Sequence, residues 1–118
     1  MAGASRRREK YGNKVLRVYQ QKELRVYPLN PQPGPVEGLA SYAALADLPE
    51  KVHGLSVITP PSITEKLVED AARLGVPHVW MQPGAESAVA LRRGQELGLE
   101  IIAGGPCILV ALGFREDG

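Results

Sequence analysis

Cysteine is almost absent: Cys107 is the only one in 118 residues. A single thiol excludes an internal disulfide framework and any zinc site built on several cysteines. Long apolar runs are also missing. The longest, Cys107 to Leu112, falls far short of the ~20 residues that a membrane-spanning helix needs. The basic start is not followed by the apolar stretch of a secretory signal, so the expected compartment is a reducing cytoplasm. No Walker sequence, H-E-x-x-H pair, EF-hand loop, internal repeat or low-complexity tract occurs. The remaining composition, 44% hydrophobic and 23% charged, suits one domain (1–118) with a core of its own.

Charge of both signs is present but unevenly placed. Residues 1–25 carry eight cations against Glu9 and Glu23, a local charge of +6, while the rest of the chain carries −5. Such a split points the N-terminal end at an anion: a phosphorylated ligand, nucleic acid or an anionic surface. A plain solvated basic face explains the same count.

Four short apolar runs are fenced by turn residues: Leu24–Leu29, Leu55–Thr59, His78–Gln82 and Leu99–Ala103. None alternates cleanly, which is the pattern of strands covered on both faces in a parallel sheet. Helical spacing fills the intervals. Tyr11, Val15, Val18 and Tyr19 form one stripe over Tyr11–Gln20. Ser62–Leu74 has a capping box in Ser62 and Glu65, an apolar face in Ile63, Leu67, Ala71 and Leu74, and a stop at Gly75. Glu86–Leu97 puts Ala88 and Leu91 on its apolar side before Gly98, and a short helix covers Tyr42–Ala46 behind Ser41. The alternation predicts an α/β fold, a Rossmann-like doubly wound parallel sheet in three αβα layers. Asn30–Gly38 reads as a proline-rich loop. The apolar tail Ile108–Phe114 is expected to cover either a core edge or a homodimer face.

The front of this pattern is incomplete. A doubly wound sheet opens with a strand that feeds its first helix through a glycine turn. Here the turn, Gly3-Ala4-Ser5, is present, and almost no residues precede it. The first strand is therefore expected to be truncated, as in a domain short of about six apolar residues.

Open parallel sheets bind ligands beyond the carboxyl ends of their strands. The strand exits, in chain order, are Gly3-Ala4-Ser5, Asn30-Pro31, Thr59-Pro60-Pro61-Ser62, Gln82-Pro83-Gly84 and Gly104-Gly105-Pro106-Cys107. These small, amide-bearing or cyclic residues admit a ligand close to the backbone and supply few groups for proton chemistry. The Gly3 turn would aim amides and a helix N-terminus at a phosphate, with Arg6–Arg8 and Lys10 nearby; a simple chain start fits as well. The Thr59 and Gln82 turns also read as strand exit, helix cap and ordinary turn chemistry. His53 and His78 have no partner at a telling spacing. Cys107 is either a packing residue or a thiol that a neighbouring base or helix N-terminus would have to activate. Glu65, Glu69, Asp70 and Glu96 read as solvent faces. No self-sufficient catalytic constellation and no metal site is visible.

Over nearly its whole length the chain resembles the small CoA-binding proteins of the YccU type, which are similar to the CoA-binding domain of the succinyl-CoA synthetase alpha subunit. The carriers are Gly3-Ala4-Ser5 with Lys10-Tyr11-Gly12-Asn13, then Val26-Tyr27-Pro28-Leu29-Asn30-Pro31, Tyr42–Pro49, Val79–Gly84 and the Cys107 segment. The resemblance implies a site for CoA or acyl-CoA across the strand ends. Gly3, Ala4 and Ser5 would cradle the pyrophosphate with Lys10 and Asn13. Asn30 and Pro31 would lie near the adenosine, Thr59, Pro60 and Pro61 would wall the cleft, and Gln82, Pro83 and Gly84 would lie by the pantetheine arm. Two departures matter. The chain lacks the domain that carries a phosphorylated histidine in the ligase relatives. It also has Gly105-Pro106-Cys107 where many close relatives have Asp-Arg-Cys. In the family's strand order, 3-2-1-4-5, the truncated strand is central, and its loss is expected to separate Leu24–Leu29 and Leu55–Thr59 from the other two runs. The implied function is non-catalytic binding, as a sensor or regulatory module. A CoA-ligase or oxidoreductase component with a partner subunit is the alternative, and nucleic-acid binding through the basic end is a third reading.

Overall fold

Three short parallel strands order the chain in a computed structural model that describes residues 1–105 and 107–115. β1 (Gly54–Val57), β2 (His78–Met81) and β3 (Glu100–Ile102) lie in that order, with Leu55 beside Val79 and Val79 beside Ile101. Helix α2 (Pro61–Arg73) connects β1 to β2, and α3 (Ala88–Glu96) connects β2 to β3. These two helices pack on one face, where Val68 and Ala71 of α2 join Leu55, Val57 and Val79 of the sheet in one apolar cluster. Helices α1 (Tyr11–Gln21) and α4 (Ile108–Leu112) pack together in the other apolar cluster, with Val15, Leu16, Val18 and Ile108 buried beside Trp80. The result is the expected three-layer α/β arrangement.

The short first strand does not split this sheet as expected. β1 keeps its pairing with β2, and the break falls between β1 and the Leu24–Leu29 run, where Met1 and Ala2 close it. Ala2 N donates to Ser56 O at 2.8 Å, and its own carbonyl accepts from Ile58 N at 3.1 Å. On the other side Leu29 N donates to Met1 O, and the Met1 amine donates to Tyr27 O, both at 2.9 Å. Ala2 thus forms parallel bridges to both Leu29 and Val57, and Leu29 bridges onward to Tyr42.

Upstream of this two-residue plug the edges stay apart. Between them lies a cavity of about 550 Å³ whose lining includes Arg25, Tyr27, Gly54, Ser56, His78 and Trp80. For this reason Leu24–Tyr27, expected as strand, is not one: the Met1 amine meets its end at Tyr27 O, and among the described residues no strand is paired alongside it.

Several local expectations shift by a residue or two. The Ser62–Glu65 capping box does not form, because Pro60 is the N-cap and Pro61 the first helical residue of α2. Glu65 accepts instead from Ser87 Oγ at 2.6 Å, and Ser87 caps α3 by accepting from Ala90 N. The buried face of α2 is Thr64, Val68 and Ala71, with Ile63 turned outward; that of α3 is Ala90 and Gly94, in place of Ala88 and Leu91. The short helix is a 3₁₀ turn at Leu45–Asp47, and Ser41 donates to Gly34 O. β3 is a partly exposed edge strand, so it is not covered on both faces. In the tail, Ile108, Leu109, Leu112 and Phe114 cover the core edge beside α1, while Val110 stays 73% exposed.

Candidate functional site

The turn after Ala2 is held from three sides. Gly3 has φ +92°, and a side chain there would stand 3.1 Å from the Ile58 backbone carbon. Glycine is the residue that accepts both conditions. Gly12, in the first turn of α1, faces the Gly3 carbonyl so closely that any Cβ would overlap it. Asn13 then donates its amide to Ser5 O at 2.9 Å and to Glu37 Oε2 at 3.0 Å. Its oxygen accepts from Arg17 Nε at 2.7 Å, and Arg17 also donates to Arg8 O. On the far side Asn30 donates to Ala4 O at 2.9 Å and accepts from Gln32 N.

Asn13 and Asn30 therefore shape the turn, with their amides spent on its carbonyls. A loop whose carbonyls are bound from behind keeps a fixed conformation. No side chain caps the start of α1, which opens at the end of this turn behind the exposed Lys10. Uncapped first-turn amides and the helix dipole favour an anion there.

The other strand exits converge on the same end of the sheet. Thr59 Oγ1 pairs with Thr64 Oγ1 at 3.0 Å, with Pro60 and Pro61 opening α2 beside it. Gln82 is fully buried: its backbone N donates to Val57 O, and its Oε1 accepts from Tyr11 Oη at 3.0 Å and Ile108 N at 2.7 Å. Pro83 and Gly84 are exposed beyond it, as is Pro31 beyond Asn30. Glu86 Oε2 accepts from Gly104 N at 2.5 Å, which links the β2 and β3 exits. Gly3, Ala4, Ser5, Asn13, Asn30 and Gln82 are thus joined directly or through α1, whereas Lys10, Pro31 and Gly84 project outward.

The sequence did not mark Tyr11 or Cys107 as a pair. Tyr11 counted toward an apolar stripe and among the carriers of the resemblance, yet its hydroxyl donates to Gln82 Oε1 and acts electrostatically on the Cys107 thiol. Burial pushes the Tyr11 hydroxyl above the ordinary phenol range. The same hydroxyl, helped by nearby backbone amides and against the opposing effect of burial, leaves the Cys107 thiol below its ordinary value. Both histidines lie away from this end, His53 and His78 lining the cavity at the start of the strands.

Residues 1–113 match the family model described as "CoA binding domain". The chain belongs to the CoA-binding domain family. A conserved hypothetical protein from Pyrococcus furiosus is 34% identical, with TM-score 0.87 over 93% of this chain and 94% of that one. A hypothetical protein from Pyrococcus horikoshii is 30% identical, with TM-score 0.87 over 92% and 76%. An acetyl-coenzyme A synthetase from Ca. Korarchaeum cryptofilum, solved with phosphate and ADP, is 25% identical with TM-score 0.76. That match covers 86% of this chain and 24% of the synthetase.

Neither of two cavities among the described residues coincides with the CoA-binding domain's strand-exit turns. The 550 Å³ cavity opens at the strand starts, and a second, about 320 Å³, is lined by Gln20, Leu24, Val26 and Tyr42 among others. The strand-exit site is a shallow surface of backbone donors. Among the described residues no group of three or more His, Cys, Asp or Glu could hold a metal ion, and no helix is long and apolar enough to cross a membrane.

Proposed function

We propose that the chain binds CoA or acyl-CoA reversibly at the strand exits and catalyses no reaction by itself, acting as a sensor or regulatory module. The observation that carries this reading is the Gly3–Ser5 turn, locked by Ile58, Gly12, Asn13 and Asn30 while its front stays open. A pyrophosphate would sit on backbone amides of this turn and of α1, assisted by Lys10. Asn30 and Pro31 would edge the adenosine, Thr59, Pro60 and Pro61 would wall the cleft, and Gln82, Pro83 and Gly84 would line the pantetheine arm. Preorganised backbone donors bind without a large ordering cost. Asn13 and Asn30 beside them are spent on the turn's own carbonyls, which supports binding over chemistry.

The charge pattern supports the same reading over nucleic-acid binding. Arg6 is tied to the carbonyls of Gln32, Gly34 and Pro35, Arg7 pairs with Glu9, and Arg17 is 4% exposed. Arg17 is therefore spent inside the fold, and Arg6 and Arg7 are engaged with protein groups at the surface, so part of the +6 segment is not offered to a duplex. The runner-up, a CoA-ligase or oxidoreductase component, draws on the likeness to one part of a synthetase and requires a partner subunit; co-purification of such a partner tests it. Mass spectrometry of the natively purified protein tests the leading reading, with CoA or acyl-CoA expected as retained ligand. A raised melting temperature with added CoA, and a smaller rise with NAD(H), is the matching result. No retained ligand together with no thermal response to CoA overturns it.

A further inference from the structure

We propose that Cys107 is a thiol-exchange site, which takes up one CoA unit from a CoA-containing disulfide as a protein–CoA mixed disulfide. This rests on the CoA reading above and names the chemistry at the far end of the same site. Three separate segments meet beside the thiol, at Gln82 Oε1: the first residue of α1, the exit of β2 and the start of α4. Tyr11 Oη donates to this oxygen at 3.0 Å, and Ile108 N, next to Cys107 in the chain, donates to it at 2.7 Å. The thiol itself is only partly covered.

The second observation is the other end of the Gln82 carboxamide. Gln82 is 0% exposed, and its Nε2 has no hydrogen-bond partner. Turning the amide over is no remedy, because the Ile108 N–H requires an oxygen where Oε1 stands. A buried amide donor, on the residue that holds Ile108 next to a partly exposed thiol, therefore lacks one thing, an acceptor such as a carbonyl. The pantetheine arm of CoA ends in that combination: an amide carbonyl followed, after one nitrogen and two methylenes, by sulfur. A carbonyl on Gln82 Nε2 leaves the CoA sulfur to meet Cys107.

Tyr11 has one proton and two acceptors for it. With a neutral thiol it donates to Gln82 Oε1. With a thiolate it can turn to sulfur, and Oε1 keeps its bond from Ile108. The hydroxyl favours the nucleophilic form without itself carrying charge. In the exchange the Cys107 thiol first gives its proton to solvent. The thiolate attacks one sulfur of CoA disulfide, a new S–S bond forms, and the original S–S bond breaks. The departing CoA thiolate leaves with the bonding pair and takes a proton from solvent. The disulfide is the oxidant, so Cys107–SH and CoA–S–S–CoA become Cys107–S–S–CoA and CoA–SH.

Intact-mass measurement under non-reducing conditions tests this on the full chain mixed with CoA disulfide. One CoA adduct is expected, removed by dithiothreitol and absent from Cys107→Ser. Oxidised glutathione, which lacks the CoA body, should react at least ~10-fold more slowly, and Tyr11→Phe should slow the CoA reaction by a similar factor as thiolate content falls. Equal rates for the two disulfides, or an unchanged rate in Tyr11→Phe, overturn the proposal and leave an ordinary surface thiol. Titration of the wild-type chain with reduced CoA separates the two failures. A thermal shift without adduct rejects only the exchange site, whereas neither shift nor adduct rejects the CoA reading as well.

Discussion

The carbonyl of Gly3 occupies the space that a side chain on Gly12 would need. That contact sets the first turn of α1 directly on the turn that precedes it, so the helix start and the open amides form one rigid piece. Gly12→Ala should move backbone, not a flexible side-chain end. Overpacking of this kind costs about 1–3 kcal/mol. Urea denaturation should show that loss, while exposed Lys66→Ala should leave the midpoint nearly unchanged.

Asn13 is the hinge of the same turn from behind, with both ends of its amide used and Arg17 resting on it. Asn13→Leu keeps the branched shape, at somewhat larger volume, and removes every one of these bonds. Leaving buried partners unsatisfied should cost about 2–3 kcal/mol. Chemical denaturation measures the stability loss, and the CoA affinity of the folded fraction should fall with it.

Arg6 staples a loop without being buried by it. Its guanidinium donates to Gln32 O at 2.9 Å, Gly34 O at 2.6 Å and Pro35 O at 3.1 Å. Arg6→Ala should barely change global stability, because the contacts are exposed and lie in a loop. Amide hydrogen exchange at Gln32, Gly34 and Val36 should quicken at least severalfold as that local unit opens more often.

Gly94 and Ile101 form a packing pair between α3 and β3. A Cβ on Gly94 would stand 2.6 Å from Ile101 Cδ1, the movable end of a side chain. Gly94→Ala gains about 1 kcal/mol of helix propensity and loses more to the collision. Ile101→Val removes the colliding methyl. The alanine should therefore destabilise the wild-type background and stabilise the Ile101→Val background, a sign reversal that a double-mutant cycle reads directly.

Burial of the Met1 amine makes stability depend on pH in a defined window. For a polypeptide starting at this residue, desolvation lowers the amine from 8.0 to about 5. Above pH 8 it is neutral in both folded and unfolded chains and costs nothing. As pH falls from 8 towards 5 the unfolded chain binds a proton that the folded chain does not, so stability falls, by up to ~4 kcal/mol. Denaturation midpoints at pH 8.5 and 5.5 should show the drop, and acetylating the amine should remove that part of it.

Much of this architecture was legible in the sequence. The runs at Leu55, His78 and Leu99 and the intervening helical spacings located all three strands and their crossovers, because buried parallel strands leave compact apolar runs. The shortness of the segment leading into the Gly3 turn was legible too. Its consequence was not, since the closure of the gap depends on two backbone residues, Met1 and Ala2, whose side chains say nothing about pairing. Leu24–Tyr27 has strand composition and is not strand, because hydrogen bonding needs a neighbour that composition cannot supply. At the site, the glycine turn and Gln82 were visible as strand-exit residues. The bonds of Asn13 to Glu37 and of Tyr11 to Gln82 span 24 and 71 residues, and no local spacing encodes such contacts.

Titration of the isotope-labelled chain with CoA, followed by backbone amide NMR, tests the central claim most directly. Binding at the strand exits predicts saturable shifts at Gly3, Ala4, Ser5, Gly12 and Gly84, with Gly54 and His78 at the strand starts unmoved. Shifts confined to the cavity around Gly54 and His78, or none at saturating CoA, would contradict it.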